Sequence, residues 1–285
     1  MAERVNGMVS VEVDAHAVNH VSAITSRVRR MRDMFFKQGI PPDKVLYKIP
    51  CTWQGVQAVS ILESEGVCCH VTHVCCVEQA AAAARADATL VQVYVARIRT
   101  WYAKHPDALL SSRMRGTGSA GDGNSGSGSE SERFEDETVV DPGVQLVRQI
   151  SALVRNENYK AKVIASSVRG REDAKALAGC DYLILNDRVI GELNRNFRRV
   201  DANPFHESMC PNVGTVSEGL FKAAMWDSPG AEEIERAVAC GIAADDSLRE
   251  YIRNKDMAKP TAGAAHAEML KKALERATKE TSKEN

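Results

Sequence analysis

The sequence predicts an α/β fold, a parallel sheet whose strands alternate with helices and close toward a barrel. Three observations point there. Short runs rich in Val, Ile and Leu recur along the 285 residues, separated by stretches whose apolar positions have helical spacing. The runs are nearly continuous in apolar residues, as in strands covered on both faces. Polar side chains collect near the C-terminal ends of several runs, where β/α barrels gather their sites. No Gly-rich phosphate loop follows any run, so the dinucleotide and nucleoside-triphosphate folds lack their fingerprint.

The first strand is expected over Val9–Val13. A helix follows from about Asn19 to Gln38, with Val21, Ile24, Val28, Met31 and Phe35 at helical spacing and Gly39 as its terminator. The second strand runs Val45–Ile49, stopped by Pro50, and its helix spans about Trp53–Glu65. A third strand, about Val67–Val74, precedes an alanine-rich helix over Val77–Ala86. The fourth, Thr89–Val95, precedes a short helix through Trp101. Asp141-Pro142 opens a helix to about Arg155. The fifth strand is Lys162–Val168, with a helix over Glu172–Ala178. The sixth is Tyr182–Asn186, with a helix through about Arg195. A polar loop (196–215) and helices near Ser217–Trp226, Ala231–Arg253 and Ala264–Thr278 complete the chain as a tail over about 196–285.

Between about Ser111 and Glu137 the chain is Gly, Ser and acidic residues. Such a segment cannot bury enough apolar surface to offset its ordering entropy. It reads as a disordered surface insertion within one domain, because the alternation resumes after it.

Composition excludes several functions. Lys and Arg number 37 against 38 Asp and Glu, and aromatics are 5%, so neither a basic nucleic-acid footprint nor a base-stacking platform is expected. No apolar run is long enough to span a membrane. No signal peptide or peroxisomal tail is visible, which points to the cytoplasm. The eight cysteines include no CxxC pair, so zinc is poorly supported and they read as reduced, mostly buried small hydrophobes.

Lys48 is the sharpest feature, an amine inside the apolar run Val45-Leu46-Tyr47-Lys48-Ile49-Pro50. Burying an ammonium is costly. A desolvated amine is more readily deprotonated and can form a Schiff base with a ketone; the alternative is an edge lysine snorkelling to water. Glu12 ends the first strand as a general acid/base acting through water, or as a carboxylate in a salt bridge. Strand alternation puts His70, Thr72 and Val74 on one face and His73 on the other. Thr72 then holds a water or a substrate, or simply fills the strand. Arg97 and Arg169 follow the fourth and fifth strands and could clamp a phosphate by forked hydrogen bonds, or be surface arginines at helix starts. Their convergence at one end of the sheet favours a site.

These residues carry a resemblance. Lys44 to Gly55 (KVLYKIPCTWQG) is similar to the active-site segment of the transaldolase family, roughly IKxxxTWxG, and Val9 to Ala15 (VSVEVDA) resembles that family's VSTEVDA strand. Asp141-Pro142-Gly143-Val144, Ala176 to Asp181 and Gly191-Glu192-Leu193 follow in the family's order. The resemblance covers about residues 5–195. It implies a TIM-type (β/α)8 barrel of which about six βα units are present, with no metal or organic cofactor. It implies transfer of a dihydroxyacetone unit between sugar phosphates of the pentose phosphate pathway: fructose 6-phosphate, sedoheptulose 7-phosphate, erythrose 4-phosphate and glyceraldehyde 3-phosphate. By the same resemblance Lys48 is the Schiff-base lysine. Glu12, with a water and Thr72, relays protons. Arg97 and Arg169 bind phosphate, and His70, Gln92 and Ser167 lie against the substrate.

The chain departs from the pattern at His70 (the family's asparagine), Gln92 (a serine), Tyr94 (a phenylalanine) and Ala96 (a glycine). Val9–Val13 corresponds to the family's third strand, and nothing matches the two preceding βα units with their aspartate and asparagine. Six strands do not close an eight-stranded barrel. The expectation therefore divides among a fragment of an active enzyme, a barrel completed by a partner or second copy, and an inactive relative serving as an interaction or regulatory subunit. Homo-oligomers are compatible with all three.

Overall fold

The computed structural model describes residues 5–14, 17–108, 141–195 and 210–240. The Gly/Ser-rich insertion, most of the polar loop and the helices expected beyond 240 lie outside them. Residues Met1–Ile234 make one compact unit and Glu235–Asn285 a second; only 235–240, which are helical, are described in the latter.

Six parallel strands stand in sequence order: β1 (Val9–Glu12), β2 (Val45–Pro50), β3 (Cys69–Val74), β4 (Leu90–Tyr94), β5 (Lys162–Ser166) and β6 (Tyr182–Leu183). Between and after them run α1 (Val21–Lys37), α2 (Trp53–Ser64), α3 (Val77–Arg85), α4 (Val95–Lys104), α5 (Pro142–Asn156), α6 (Arg171–Ala176), α7 (Asp187–Arg195) and α8 (Glu218–Trp226). Strands paired with their sequence neighbours and joined by helices are the repeat of a β/α barrel.

Three expected boundaries are corrected. Pro50 is the last residue of β2 rather than lying just beyond it, and pairs in register with Thr72. A proline tolerates a terminal position because the ladder loses little there. β5 stops at Ser166 because Ser167 takes a left-handed backbone, φ 57°. β6 keeps two residues, with a further bond from the Ile184 amide to the Ala165 carbonyl.

The two faces of the sheet differ by alternation. Val45, Tyr47, Ile49, Cys69, Val71, Val91, Val93, Val163 and Ala165 belong to the hydrophobic core shared with the helices. Ser10, Glu12, Lys48, His70, Thr72, Gln92, Tyr94 and Ser166 occupy the other register. No helix covers a polar face of this kind in a barrel, yet His70, Thr72 and Gln92 are at most 4% exposed. Burial on that side is what a sheet curled toward its own interior produces.

The motifs have mechanical reasons. Thr52 caps α2 by accepting from the Gly55 amide (2.9 Å), while its hydroxyl donates to the Val18 carbonyl (2.7 Å). Trp53 packs edge-on against Phe221 of α8. A Cβ on Gly55 would stand 2.3 Å from the Pro50 carbonyl oxygen, so α2 approaches β2 only through glycine. Asp141 caps α5 at the Val144 amide, and Gly143 lets α5 lie against α4, where a Cβ would meet the Val95 carbonyl oxygen at 2.3 Å. At the N-terminal rim, the buried Glu63 carboxylate accepts from the amides of Cys69 and Thr89 (2.7 Å each), the Thr89 hydroxyl (2.8 Å) and Lys160 (2.8 Å). It ties the starts of β3, β4 and β5 together.

Candidate active site

Parallel register brings the candidate residues together. Glu12 of β1 pairs with Lys48 of β2, and Lys48 pairs with His70 of β3. Lys48 Nζ stands 3.6 Å from Glu12 Oε2. The lysine is largely sheltered, its side chain 22% exposed, whereas Glu12 is open to solvent. A sheltered amine beside a carboxylate that water can reach sets a candidate nucleophile next to a candidate proton acceptor.

Around this pair lie further polar groups, of which His70, Thr72, Gln92 and Ser166 are buried and Ser10 is exposed. Ser10 Oγ is 2.7 Å from His70 Nδ1, and Gln92 Nε2 donates to Ser166 Oγ at 2.8 Å. His70 Nε2, Thr72 Oγ1 and Gln92 Oε1 have no partner within hydrogen-bond distance. Burial, and next the charge of Lys48, hold the His70 imidazole down at about 4, with Gln92 opposing weakly. It is therefore neutral at pH 7. Burial pushes the Tyr94 phenol up; Lys48, Arg97 and Glu12 are the charges it faces.

The phosphate-side residues are placed unevenly. Arg97 opens α4 with its guanidinium over the Tyr94 ring, 4.4 Å from the centroid, and donates to Glu233 Oε2 at 2.7 Å. Arg169 and Ser167 sit past the end of β5. The Arg169 amide donates to Asp173 (3.2 Å), its carbonyl accepts from Arg188, and its side chain is exposed. Among the described residues no hydrogen bond or ion pair joins the Arg169 side chain to the Lys48 and Arg97 group.

One expected facing is wrong. A register shift between Val71 and Val74 and a left-handed His73, φ 58°, break the alternation of β3. Val74 turns into the core instead of sharing the face of His70 and Thr72. His73 comes to lie against the Tyr94 ring (5.1 Å between centroids), with Nδ1 3.7 Å from Glu233 Oε2.

Sequence reasoning also missed three supports. Glu233 is buried beside Arg97 and His73, far away in the chain. Ser10 holds His70. Gln79, wholly buried, donates to the carbonyls of Cys51 (2.9 Å) and His73 (3.4 Å) and accepts from the Cys75 amide (2.8 Å), stapling the ends of β2 and β3. For Gln79 the only sequence signal was a glutamine at the head of an alanine run.

The buried cysteines are poor nucleophiles. All eight are free, and burial pushes Cys51, Cys69, Cys75 and Cys76 up, the last to about 12. Among the described residues no group of three His, Cys, Asp or Glu side chains could hold a metal, and no helix is long and apolar enough to cross a membrane.

The profile of the Transaldolase/Fructose-6-phosphate aldolase family matches residues 1–237. Similar proteins are named Transaldolase. One from Chlamydia felis is 33% identical over 190 residues, 67% of this chain and 50% of its own length. One from Homo sapiens is 32% identical over 192 residues, 67% of this chain and 50% of its own. One from Chlamydia muridarum is 32% identical over 232 residues, 80% of this chain and 63% of its own. The chain thus spans about half to two-thirds of the length of these relatives. With a six-stranded parallel β/α sheet and a match over most of its length, the chain belongs to the transaldolase/fructose-6-phosphate aldolase family.

Proposed function

We propose that this chain performs transaldolase chemistry, moving a dihydroxyacetone unit from a ketose phosphate to an aldose phosphate through an imine on Lys48. The donors are fructose 6-phosphate and sedoheptulose 7-phosphate; the acceptors are erythrose 4-phosphate and glyceraldehyde 3-phosphate. The setting is the cytosolic pentose phosphate pathway. The observation that carries this reading is Lys48 Nζ, sheltered on β2 and 3.6 Å from the Glu12 carboxylate.

In this reading the unprotonated Lys48 amine attacks the ketose carbonyl, and the carbinolamine loses water to give the imine. A water held by Glu12 and Thr72 takes the proton from the C4 hydroxyl. The C3–C4 bond breaks, an aldose phosphate leaves, and the bonding electrons remain as an enamine on the three-carbon unit. The enamine adds to the acceptor aldehyde, and hydrolysis frees Lys48. Arg97, aimed by Glu233 and the Tyr94 ring, meets the phosphate, with Arg169, Ser167, His70 and Gln92 completing the substrate contacts. No metal or cofactor enters any step.

The test is reductive trapping. Incubating the chain with fructose 6-phosphate and borohydride is expected to add one dihydroxyacetone unit, mapped to Lys48. Lys48→Met gives no adduct and lowers sugar exchange by at least about 1,000-fold. A folded wild-type chain that forms no adduct overturns the proposal and favours the interaction-subunit alternative. Without borohydride, steady release of free dihydroxyacetone from fructose 6-phosphate in the absence of an acceptor indicates direct aldol cleavage instead of transfer.

A further inference from the structure

Ser10, His70, Gln92 and Ser166 come from β1, β3, β4 and β5 and line up on the polar face of the sheet. Their hydrogen bonds have a direction, and it can be read from the far end. Ser166 Oγ donates to the Val93 carbonyl at 3.2 Å, which uses its only proton. It must therefore accept from Gln92, so the group of Gln92 at 2.8 Å is its amide nitrogen. The Gln92 oxygen is thereby turned away from Ser166, and it is buried with no partner in hydrogen-bond range.

His70 Nε2 is the other buried atom without a partner on these two strands' polar face, apart from Thr72 Oγ1. Gln92 acts on the imidazole as a hydrogen-bonding neighbour that favours a proton there, and its free oxygen, an acceptor only, suits an Nε2–H rather than a bare Nε2 lone pair. Nδ1 is then the unprotonated nitrogen. The Ser10 hydroxyl, 2.7 Å away, supplies its proton to it. One consistent orientation runs from β1 to β5: Ser10 O–H to His70 Nδ1, His70 Nε2–H toward Gln92, Gln92 N–H to Ser166, Ser166 O–H to the Val93 carbonyl.

We propose that this four-residue relay locks His70 in the Nε2–H tautomer beside Lys48, making His70 a hydrogen-bond donor to a hydroxyl of the substrate held on Lys48 and Ser10 its positioning residue. The first half stands on geometry alone; the donor role rests on the Schiff-base reading. The unpartnered Nε2–H and Gln92 Oε1 are matched to one hydroxyl, whose oxygen accepts from the imidazole and whose proton goes to the carboxamide. With its Nδ1 lone pair occupied, His70 cannot serve as the base that deprotonates Lys48, which leaves that task to Glu12 and solvent. Lys48 and His70 are in register on adjacent strands, so the donor lies next to the amine that carries the substrate.

The experiment is nitrogen-15 NMR of the histidine side chains in the full chain, with His70 assigned by the signals lost in His70→Gln. The wild-type chain is expected to show a protonated Nε2 and an unprotonated Nδ1 on His70. In Ser10→Ala the other tautomer becomes populated. A wild-type His70 protonated at Nδ1, or a tautomer indifferent to Ser10→Ala, overturns the relay. Kinetics then test the donor role. His70→Leu is expected to slow adduct formation on Lys48 on the order of 100-fold, and His70→Gln, which keeps an N–H donor, to recover most of it. Equal losses in both variants, with both folded, overturn the donor role. Absent trapping in a wild-type chain with the expected tautomer sinks the Schiff-base reading and the donor role with it, leaving only the relay. The wrong tautomer with intact trapping sinks the relay alone.

Discussion

The N-terminal rim of the sheet and its polar face treat buried polar atoms in opposite ways. At the rim, the Glu63 side chain is 2% exposed, yet its carboxylate receives two amides, a hydroxyl and an ammonium. On the polar face, His70 Nε2, Thr72 Oγ1 and Gln92 Oε1 are equally buried and receive nothing within range. Among the described residues, the other side-chain atoms in that condition are His73 Nδ1, near Glu233, and Ser151 Oγ on α5. A satisfied buried charge stabilises; an unsatisfied buried dipole costs about 1–3 kcal/mol. The chain therefore concentrates stability at one end of the barrel and stores an unmet hydrogen-bonding capacity where the substrate is proposed to sit. That division matches the general one between the two ends of β/α barrels.

The sharpest way to break the comparison is at the rim. Glu63→Ala strands Lys160 and three other donors, and is expected to cost about 3–5 kcal/mol in urea unfolding. Trapping at Lys48 per folded molecule should be unchanged. A stability loss below about 1 kcal/mol would mean the rim is not where the strands are fastened.

Next comes acid. The imidazole of His70 sits at about 4 in the folded chain against an ordinary 6.5. The unfolded chain takes up the proton first, so this contribution is complete above about pH 6.5 and is lost as pH falls toward 4. By linkage the loss is up to about 3 kcal/mol. Unfolding measured across that window should be flatter in His70→Gln than in the wild type. Parallel curves would place the acid sensitivity elsewhere.

The smallest effect sharpens the comparison most. Thr72→Val keeps the shape and removes the unpartnered hydroxyl. Folding stability should hold or rise by about 1 kcal/mol, while sugar exchange falls roughly 10- to 100-fold. A stability loss would show that the hydroxyl is a structural bond after all.

Much of this architecture is legible in the amino-acid pattern itself. Six strands and their order can be read because buried parallel strands are written as apolar runs, and Lys48, Glu12 and Thr72 stand out against them. The Asp141-Pro142 start of α5 is likewise a local signal. What escapes such reading is long-range. Glu63, Ser10 and Glu233 act across 26, 60 and 136 residues of chain, and no local pattern announces such pairs. The left-handed His73 defeats strict alternation, because a bulge on β3 depends on how β4 pairs with it. Arg169 carries a motif position, but its exposed place beyond β5 depends on the turn through Ser167.

The pairing of Glu12 with Lys48 has a consequence for how this site tolerates change. Their separation is set by two neighbouring strands in one register, not by the packing of flexible loops. Point substitutions around the pair leave that spacing nearly intact. A single inserted or deleted residue in β1 does not: it rotates the carboxylate through to the helix side of the sheet. The spacing of the pair is thus robust to point substitution and brittle to changes in length, because the residue count along β1 is tied to that along β2.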